Sequence, residues 1–280
     1  DIFAELPVDG FHVIAKPQII KLSTKNGPAQ IVGIPWPTRN TVAISDSYKY
    51  NSATELTDFI AKQVGLLIQD FAQKLDPQIP SVLAGHLTVS SGIFSGSEKR
   101  AIYGTDPTLL PSQLAISPFD YVALGHLHRY QNLNPKGYPA VVYSGSIERV
   151  DFGERKEDKG FCLIQLQKNA TTHEFIKTPQ RPFIQIEAKL ASDKDQTDQL
   201  LTAISSYEIK DAVIKIIYHR PAGKKDLVDL QAIMQACKEA WYVVSITPVC
   251  TPTSRTARST MKIDMDFQTL LSTYFDSKPE

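Results

Sequence analysis

The first half of the chain contains one long amphipathic segment among several short apolar runs. Ser52-Ala53-Thr54-Glu55 has the S-x-x-E form of a capping box, which marks the start of a helix. Apolar residues then recur at steps of three and four, so that they share one face of a helix ending before Asp76-Pro77. They are Leu56, Phe59, Ile60, Val64, Leu67, Ile68, Phe71 and Leu75.

Short apolar runs predict strands at 11–14, 18–22 and 30–34. Two further runs share a distinctive ending: residues 79–84 lead into Gly85-His86, and residues 119–124 lead into Gly125-His126. Nearly continuous apolar runs are typical of strands covered on both faces in a parallel sheet. Because ligands bind beyond the carboxyl ends of such strands, we expect both histidines at one edge of the sheet.

The pattern changes twice in the second half. Residues 139–143, 160–166 and 173–176 predict three strands, which we expect to form a second sheet packed on the first, as in a sandwich. A strand-helix-strand-helix-strand series then follows, at 183–187, 193–206, 212–219, 225–239 and 242–247. The prediction is an α/β fold (α+β by some schemes) with domains at 1–180 and 181–250 and a linker with a tail helix at 251–280. The apolar face of the tail helix comprises Phe267, Leu270, Leu271, Tyr274 and Phe275.

Composition narrows the class of protein. The 280 residues include 30 Lys+Arg and 30 Asp+Glu and are 42% hydrophobic, which excludes a disordered chain and a uniformly basic DNA coat. No apolar run approaches the roughly 18 residues that span a bilayer, so we expect no membrane insertion. Cys162, Cys237 and Cys250 are widely separated, which predicts free thiols and a reducing compartment such as the cytoplasm.

Gly125-His126-Leu127-His128 is the strongest candidate for chemistry. Two imidazoles that follow a buried strand can point into one crevice and bind Mn, Fe, Zn or Ni, and His86 would add a third. The alternative is that they are ordinary loop histidines. Three histidines fit a mononuclear zinc hydrolase, or half of a two-metal phosphoesterase centre that also needs carboxylates. The nearby acids are not at ligand-like spacing and are interpreted as solvated loop charges: Asp106, Asp120 and Glu98.

Four segments of the chain match motifs of a known family. They are Leu83–Thr88, Tyr103–Thr105, Asp120–Arg129 and Tyr143–Glu154, of which the last contains the specific string GSIERVDFGE. These segments resemble the SbcD nucleases, which are subunits of the SbcCD exonuclease and belong to the calcineurin-like metallophosphoesterases. The resemblance weakens after residue 180. It implies a metallophosphoesterase β-sandwich flanked by helices, with a smaller βαβαβ capping domain.

The resemblance also implies a metal centre. His86 and His126 would bind one Mn²⁺ ion and His128 the other, with Mg²⁺ as an alternative metal. The family's other ligands and its catalytic histidine lie in Asp-x-His, Gly-Asp and Asn-His-Asp motifs, and none of these strings occurs in residues 1–280. The chain opens on Asp1 without Met, a signal peptide or these motifs. We therefore expect an N-terminally incomplete protein with an incomplete two-metal site and no nuclease activity alone.

By resemblance, the whole protein would be a Mn-dependent double-strand DNA exonuclease and single-strand endonuclease in repair, recombination and replication. It would form a homodimer within a heterotetramer, with an SbcC-like SMC ATPase docked on the tail helix. Between 210 and 262 there are nine basic and four acidic residues, which favours contact with DNA phosphates. The candidate contacts are Arg129, Lys224 and Lys225. The alternatives are another calcineurin-like phosphoesterase acting on nucleotides or phosphoproteins, and a non-catalytic scaffold fragment that binds SbcC or DNA.

Overall fold

The structure is a computed structural model that describes residues 10–39, 52–96, 98, 106–221, 223–250 and 268. The chain forms two compact units, residues 1–181 and residues 182–280. The Tyr103–Thr105 segment lies outside the described residues, and so does the predicted tail helix apart from Gln268.

The first unit is built on a six-stranded sheet. In the sheet the strand order is β1-β2-β3-β6-β8-β7, and β2, β3, β6 and β8 run parallel to one another. Residues 11–14, predicted as a strand, have no regular secondary structure. In chain order the strands of the unit are β1 (Gln18–Thr24), β2 (Gly27–Ile34), β3 (Ser81–His86), β4 (Thr88–Val89), β5 (Thr108–Leu109), β6 (Tyr121–Gly125), β7 (Gln131–Asn132), β8 (Ala140–Tyr143), β9 (Gly160–Gln165) and β10 (Thr172–Lys177).

The predicted long helix is present as α1 (Ala53–Lys74). Ser52 is its N-cap, and the Ser52 hydroxyl accepts a hydrogen bond of 3.1 Å from the amide of Glu55. The apolar stripe of α1 packs against buried side chains of the sheet in one core, which includes Val64, Ile68, Leu83, Val122 and Val141. A short helix, α2 (Pro111–Leu114), adds Leu114 to this core.

The prediction that 139–143 joins a second sheet with the two later strands is wrong. Strand β8 lies in the first sheet beside β6, because its short apolar run is buried like that of β6. Only β9 and β10 form a separate sheet, an antiparallel hairpin. His173 of this hairpin contacts Tyr121 of β6, with ring centroids 5.6 Å apart. Because Tyr121 and Val122 point to opposite faces of β6, the hairpin and α1 cover opposite faces of the sheet.

The second unit contains a three-stranded parallel sheet in the order β11-β12-β13. The elements follow the predicted strand-helix-strand-helix-strand order, although the second helix begins five residues later than predicted. They are β11 (Phe183–Lys189), α3 (Gln196–Ser205), β12 (Val213–Arg220), α4 (Leu230–Ala236) and β13 (Tyr242–Cys250). Ile186, Ile214, Ile216, Leu200 and Ile233 form the centre of its core.

All three cysteines are free thiols. Among the described residues, no helix combines the length and the apolar character needed to cross a bilayer.

Candidate metal centre

The parallel pairing of β3 and β6 brings the two Gly-His ends together. The register places His86 opposite Gly125, and His126 follows directly. A Cβ atom on Gly125 would lie 3.2 Å from Nδ1 of His86, so the glycine leaves room for that ring. His126 has a φ of +99°, a backbone conformation that residues other than glycine rarely adopt and that is found most often at functional sites.

The rings of His86 and His126 lie with their centroids 5.2 Å apart. Trp36, which follows β2, packs against both, at 5.7 Å from His86 and 4.7 Å from His126. Burial of the His86 ring lowers its pKa, and the charges of His126 and His128 lower it further. The lowered pKa favours neutral imidazole, which is the form that binds metal ions.

His126 faces a carboxylate that the sequence analysis assigned to solvent. Its Nε2 atom lies 3.4 Å from Oδ2 of Asp106, and the Asp106 side chain is only 12% exposed. Nε2 is buried and has no hydrogen-bond partner within the described part of the chain. Buried polar atoms are nearly always satisfied, and a cation between this nitrogen and the carboxylate would satisfy both. The interpretation of Asp106 as a solvated charge is therefore wrong.

His128 contacts a second group of acids. Its Nδ1 atom lies 2.8 Å from Oε1 of Glu154 and 3.4 Å from Oε1 of Glu98. Glu98 also accepts hydrogen bonds from the amides of His128 and Ser95. The ligand atoms of Glu98, His128 and Glu154 all lie within 4.8 Å of one another, so these three side chains could hold a metal ion. Glu98 is buried, so its assignment as a solvated loop charge is also wrong.

Lys159 is the buried cation of this group. Its side chain is 0% exposed, and its ammonium donates to Oε2 of Glu154 at 2.8 Å, to Oε2 of Glu157 at 3.1 Å and to the carbonyl of His128 at 2.8 Å. Buried charges persist in proteins when they are paired and hydrogen-bonded, as they are here.

A close approach between two glycines brings Glu98 and Glu154 together. A Cβ atom on Gly153 would overlap the Cα atom of Gly96, so no real side chain could be accommodated there. Gly153 therefore allows the turn that carries Glu154, within GSIERVDFGE, to pack directly on the loop that carries Glu98.

Asp120 belongs to a different site. Its carboxylate accepts hydrogen bonds from the amides of Ser81 and Asn169, the ammonium of Lys168 and the hydroxyl of Tyr138. Burial alone would raise the pKa of this carboxyl, but the hydrogen bonds, led by that from Asn169, outweigh it and lower the pKa. Asp120 is buried, so the prediction of a solvated charge is wrong, and its role is to join separate segments of the first unit.

The predicted DNA contacts are all exposed. Arg129 follows the metal-site histidines, and its guanidinium has no ion pair or hydrogen bond with any described residue. Lys224 and Lys225 lie in the second unit, between β12 and α4. Contact with DNA at these residues stays a prediction. The other predicted basic residues of the tail, Arg255, Arg258 and Lys262, lie outside the described residues.

Sequence reasoning missed most of the groups around the histidines. Glu154 carried a signal, because it closes the most family-specific motif in the chain. The other groups come from loops or turns without a fixed spacing, and no pattern pointed to them. The missed residues are Trp36, Glu98, Asp106, Glu154 and Lys159.

Comparison with known proteins shows a distant, partial homology to SbcD, the nuclease component of SbcCD. No family model matches the chain. The SbcD protein of the SbcCD nuclease from Staphylococcus epidermidis is 25% identical over 167 residues, which cover 60% of this chain and 43% of that protein. The corresponding SbcD protein of Staphylococcus saprophyticus is 31% identical over 127 residues, covering 45% of this chain and 32% of that protein. The matches thus span less than half the length of each relative.

Proposed function

Starting from this distant homology, we propose that the chain contributes to a metal-dependent nuclease of the SbcD type, which hydrolyses phosphodiester bonds in DNA. The observation that carries the proposal is the buried Nε2 atom of His126. It lacks a hydrogen bond among the described residues and faces the Asp106 carboxylate at the sheet edge where His86 also ends. This is an arrangement in which a cation, rather than a proton donor, satisfies both groups.

The donor set fits a divalent cation, because imidazole nitrogens and carboxylate oxygens together suit Mn²⁺ and related ions. His86, His126 and Asp106 would hold one ion, and His128 would contribute to a second. A bound ion would polarise a phosphoryl oxygen and lower the pKa of a bound water molecule. Trp36 restricts the rotation of both packed imidazoles, and the exposed guanidinium of Arg129 is available to bind a DNA phosphate.

Cleavage requires more than residues 1–280 in this proposal. The Asp-x-His, Gly-Asp and Asn-His-Asp motifs supply the remaining ligands and the catalytic histidine in the family, and these strings do not occur in the sequence. The whole protein would act in DNA repair, recombination and replication as a dimer with an SbcC-like SMC ATPase. The second unit would contact DNA through Lys224 and Lys225.

The test is a cleavage assay on purified residues 1–280 and on a longer protein that includes the three motifs. We expect Mn²⁺-dependent degradation of duplex DNA by the longer protein and none by residues 1–280. His126→Asn in the longer protein should abolish cleavage, whereas His219→Asn, a histidine of the second unit that pairs with Glu187, should not.

Three results would contradict the proposal. Robust Mn²⁺-stimulated cleavage by residues 1–280 would show that the three motifs are not needed. Hydrolysis of nucleotides or phosphopeptides in preference to DNA would favour a different phosphoesterase. Binding of DNA without any bound Mn²⁺ would favour the non-catalytic scaffold.

A further inference from the structure

Glu154 is fully buried, and both of its carboxylate oxygens are occupied. Oε1 lies 2.8 Å from Nδ1 of His128. Oε2 lies 2.8 Å from the ammonium of Lys159 and accepts a hydrogen bond of 3.1 Å from the amide of Val150. The carboxylate thus links one ring nitrogen of His128 to a charged group of the chain itself.

The cation that balances Glu154 is already present as the ammonium of Lys159. Its three N–H groups meet three acceptors, on Glu154, Glu157 and the carbonyl of His128. A metal ion held by Glu98, His128 and Glu154 would have to compete with this ammonium and displace Glu154 from Nδ1 of His128. The geometry therefore favours a role for Glu154 that leaves the metal on the other side of the ring.

We propose that Glu154 is a positioning residue, which holds the proton of His128 on Nδ1 and leaves the lone pair on Nε2 free to bind a cation. An ionised carboxylate can only accept hydrogen bonds, so the nitrogen that faces it must carry the hydrogen. Metal-binding histidines commonly use their second nitrogen in this way, which fixes the tautomer and the ring orientation. The assignment of Nε2 as the ligand atom rests on the proposed metal centre, whereas the tautomer does not.

A glutamine at position 154 should reverse the tautomer. Its amide has one accepting oxygen and one donating nitrogen, and the ammonium of Lys159 requires the oxygen. The amide nitrogen then faces Nδ1 of His128, which must become the acceptor, and the ring proton moves to Nε2. Replacing Lys159 by Met as well releases the glutamine oxygen to turn back towards Nδ1 and restores the original tautomer.

The experiment is ¹⁵N NMR of the imidazole rings in metal-free residues 1–280 at about pH 8.5, where imidazoles are ordinarily neutral. We expect the proton of His128 on Nδ1 in the parent chain, on Nε2 in Glu154→Gln, and on Nδ1 again in Glu154→Gln/Lys159→Met. Glu157→Gln is the matched control: it changes a carboxylate that binds Lys159 but does not contact His128, and it should leave the tautomer unchanged. Dispersed amide spectra establish that each variant is folded.

Calorimetric titration with Mn²⁺ provides the second readout. Loss of such a supporting carboxylate typically lowers metal affinity by about 10- to 100-fold, and we expect a loss of this size in Glu154→Gln with recovery in the double variant. A parent chain with the proton on Nε2, or a Glu154→Gln variant with an unchanged tautomer, would overturn the positioning role. The predicted tautomers without Mn²⁺ binding by the parent chain would support the positioning role and overturn the proposed metal centre.

Discussion

Replacing Lys159 by Met removes the buried cation between two carboxylates while keeping the length and most of the volume of the side chain. The side chains of Lys159 and Glu154 are both 0% exposed. Without the ammonium, the Glu154 charge and the carbonyl of His128 lose a donor that water cannot replace. Breaking a buried pair by removing one partner typically costs about 3–5 kcal/mol, and we expect a loss in this range for Lys159→Met.

Lys177→Met is the matched control in the same unit. Lys177 pairs with Asp158 at 2.6 Å, closer than the 2.8 Å of the buried pair, but the two side chains are 62% and 56% exposed. Exposed pairs contribute about 0–1 kcal/mol because water competes for both charges. Burial rather than distance should therefore decide which substitution is the more destabilising.

The assay is urea denaturation followed by tryptophan fluorescence. The chain has two tryptophans, Trp36 in the first unit and Trp241 in the second, so a Trp241→Phe background reports on the first unit alone. The double variant Glu154→Gln/Lys159→Met should be more stable than Lys159→Met, because it no longer buries an unpaired carboxylate at position 154. A loss below about 1 kcal/mol in Lys159→Met, or one equal to that of Lys177→Met, would refute the reasoning, since exposed pairs contribute no more than this.

Three further predictions concern the first unit. The lowered pKa of Asp120 contributes stability that is complete above the ordinary carboxyl pKa of 3.8 and is lost as pH falls through the lower folded-state value; acid denaturation of Asp120→Asn should lack this component, and an unchanged pH profile would contradict it. Gly153→Ala should cost about 1–3 kcal/mol in urea because its methyl group would overlap Gly96, and a neutral result would show that the two loops do not pack as described. Ser52→Ala should lower the free energy of unfolding by about 1 kcal/mol, whereas Ser52→Asp keeps an acceptor for the Glu55 amide and should not.

Local patterns were sufficient for α1 and for the approach of two histidines. The capping box and the spacing of three and four depend on neighbouring residues only, and both appear in the structure. His86 and His126 could be placed together because each follows a buried strand and parallel strands end at one edge. The φ of +99° at His126 is set by the packing around it and has no signature in the sequence.

Partners distant in the sequence account for what could not be predicted. Asp120 is held by amides 39 and 49 residues away, so its burial depends on contacts that no local pattern contains. Glu98 and Asp106 come from a long loop without periodicity, and their approach to the histidines requires the folded unit. The apolar run of β8 shows that it is buried but not which strand it pairs with, which is why it was assigned to the wrong sheet.

The central claim, that His86, His126 and Asp106 share a cation, is tested most directly by crystals of the chain soaked in Mn²⁺ and measured at a wavelength where manganese scatters anomalously. We predict an anomalous peak within bonding distance of Nε2 of His126 and of the Asp106 carboxylate. A chain with no peak there, or with its only peak between Glu98 and Glu154 in place of the Lys159 ammonium, would contradict the claim.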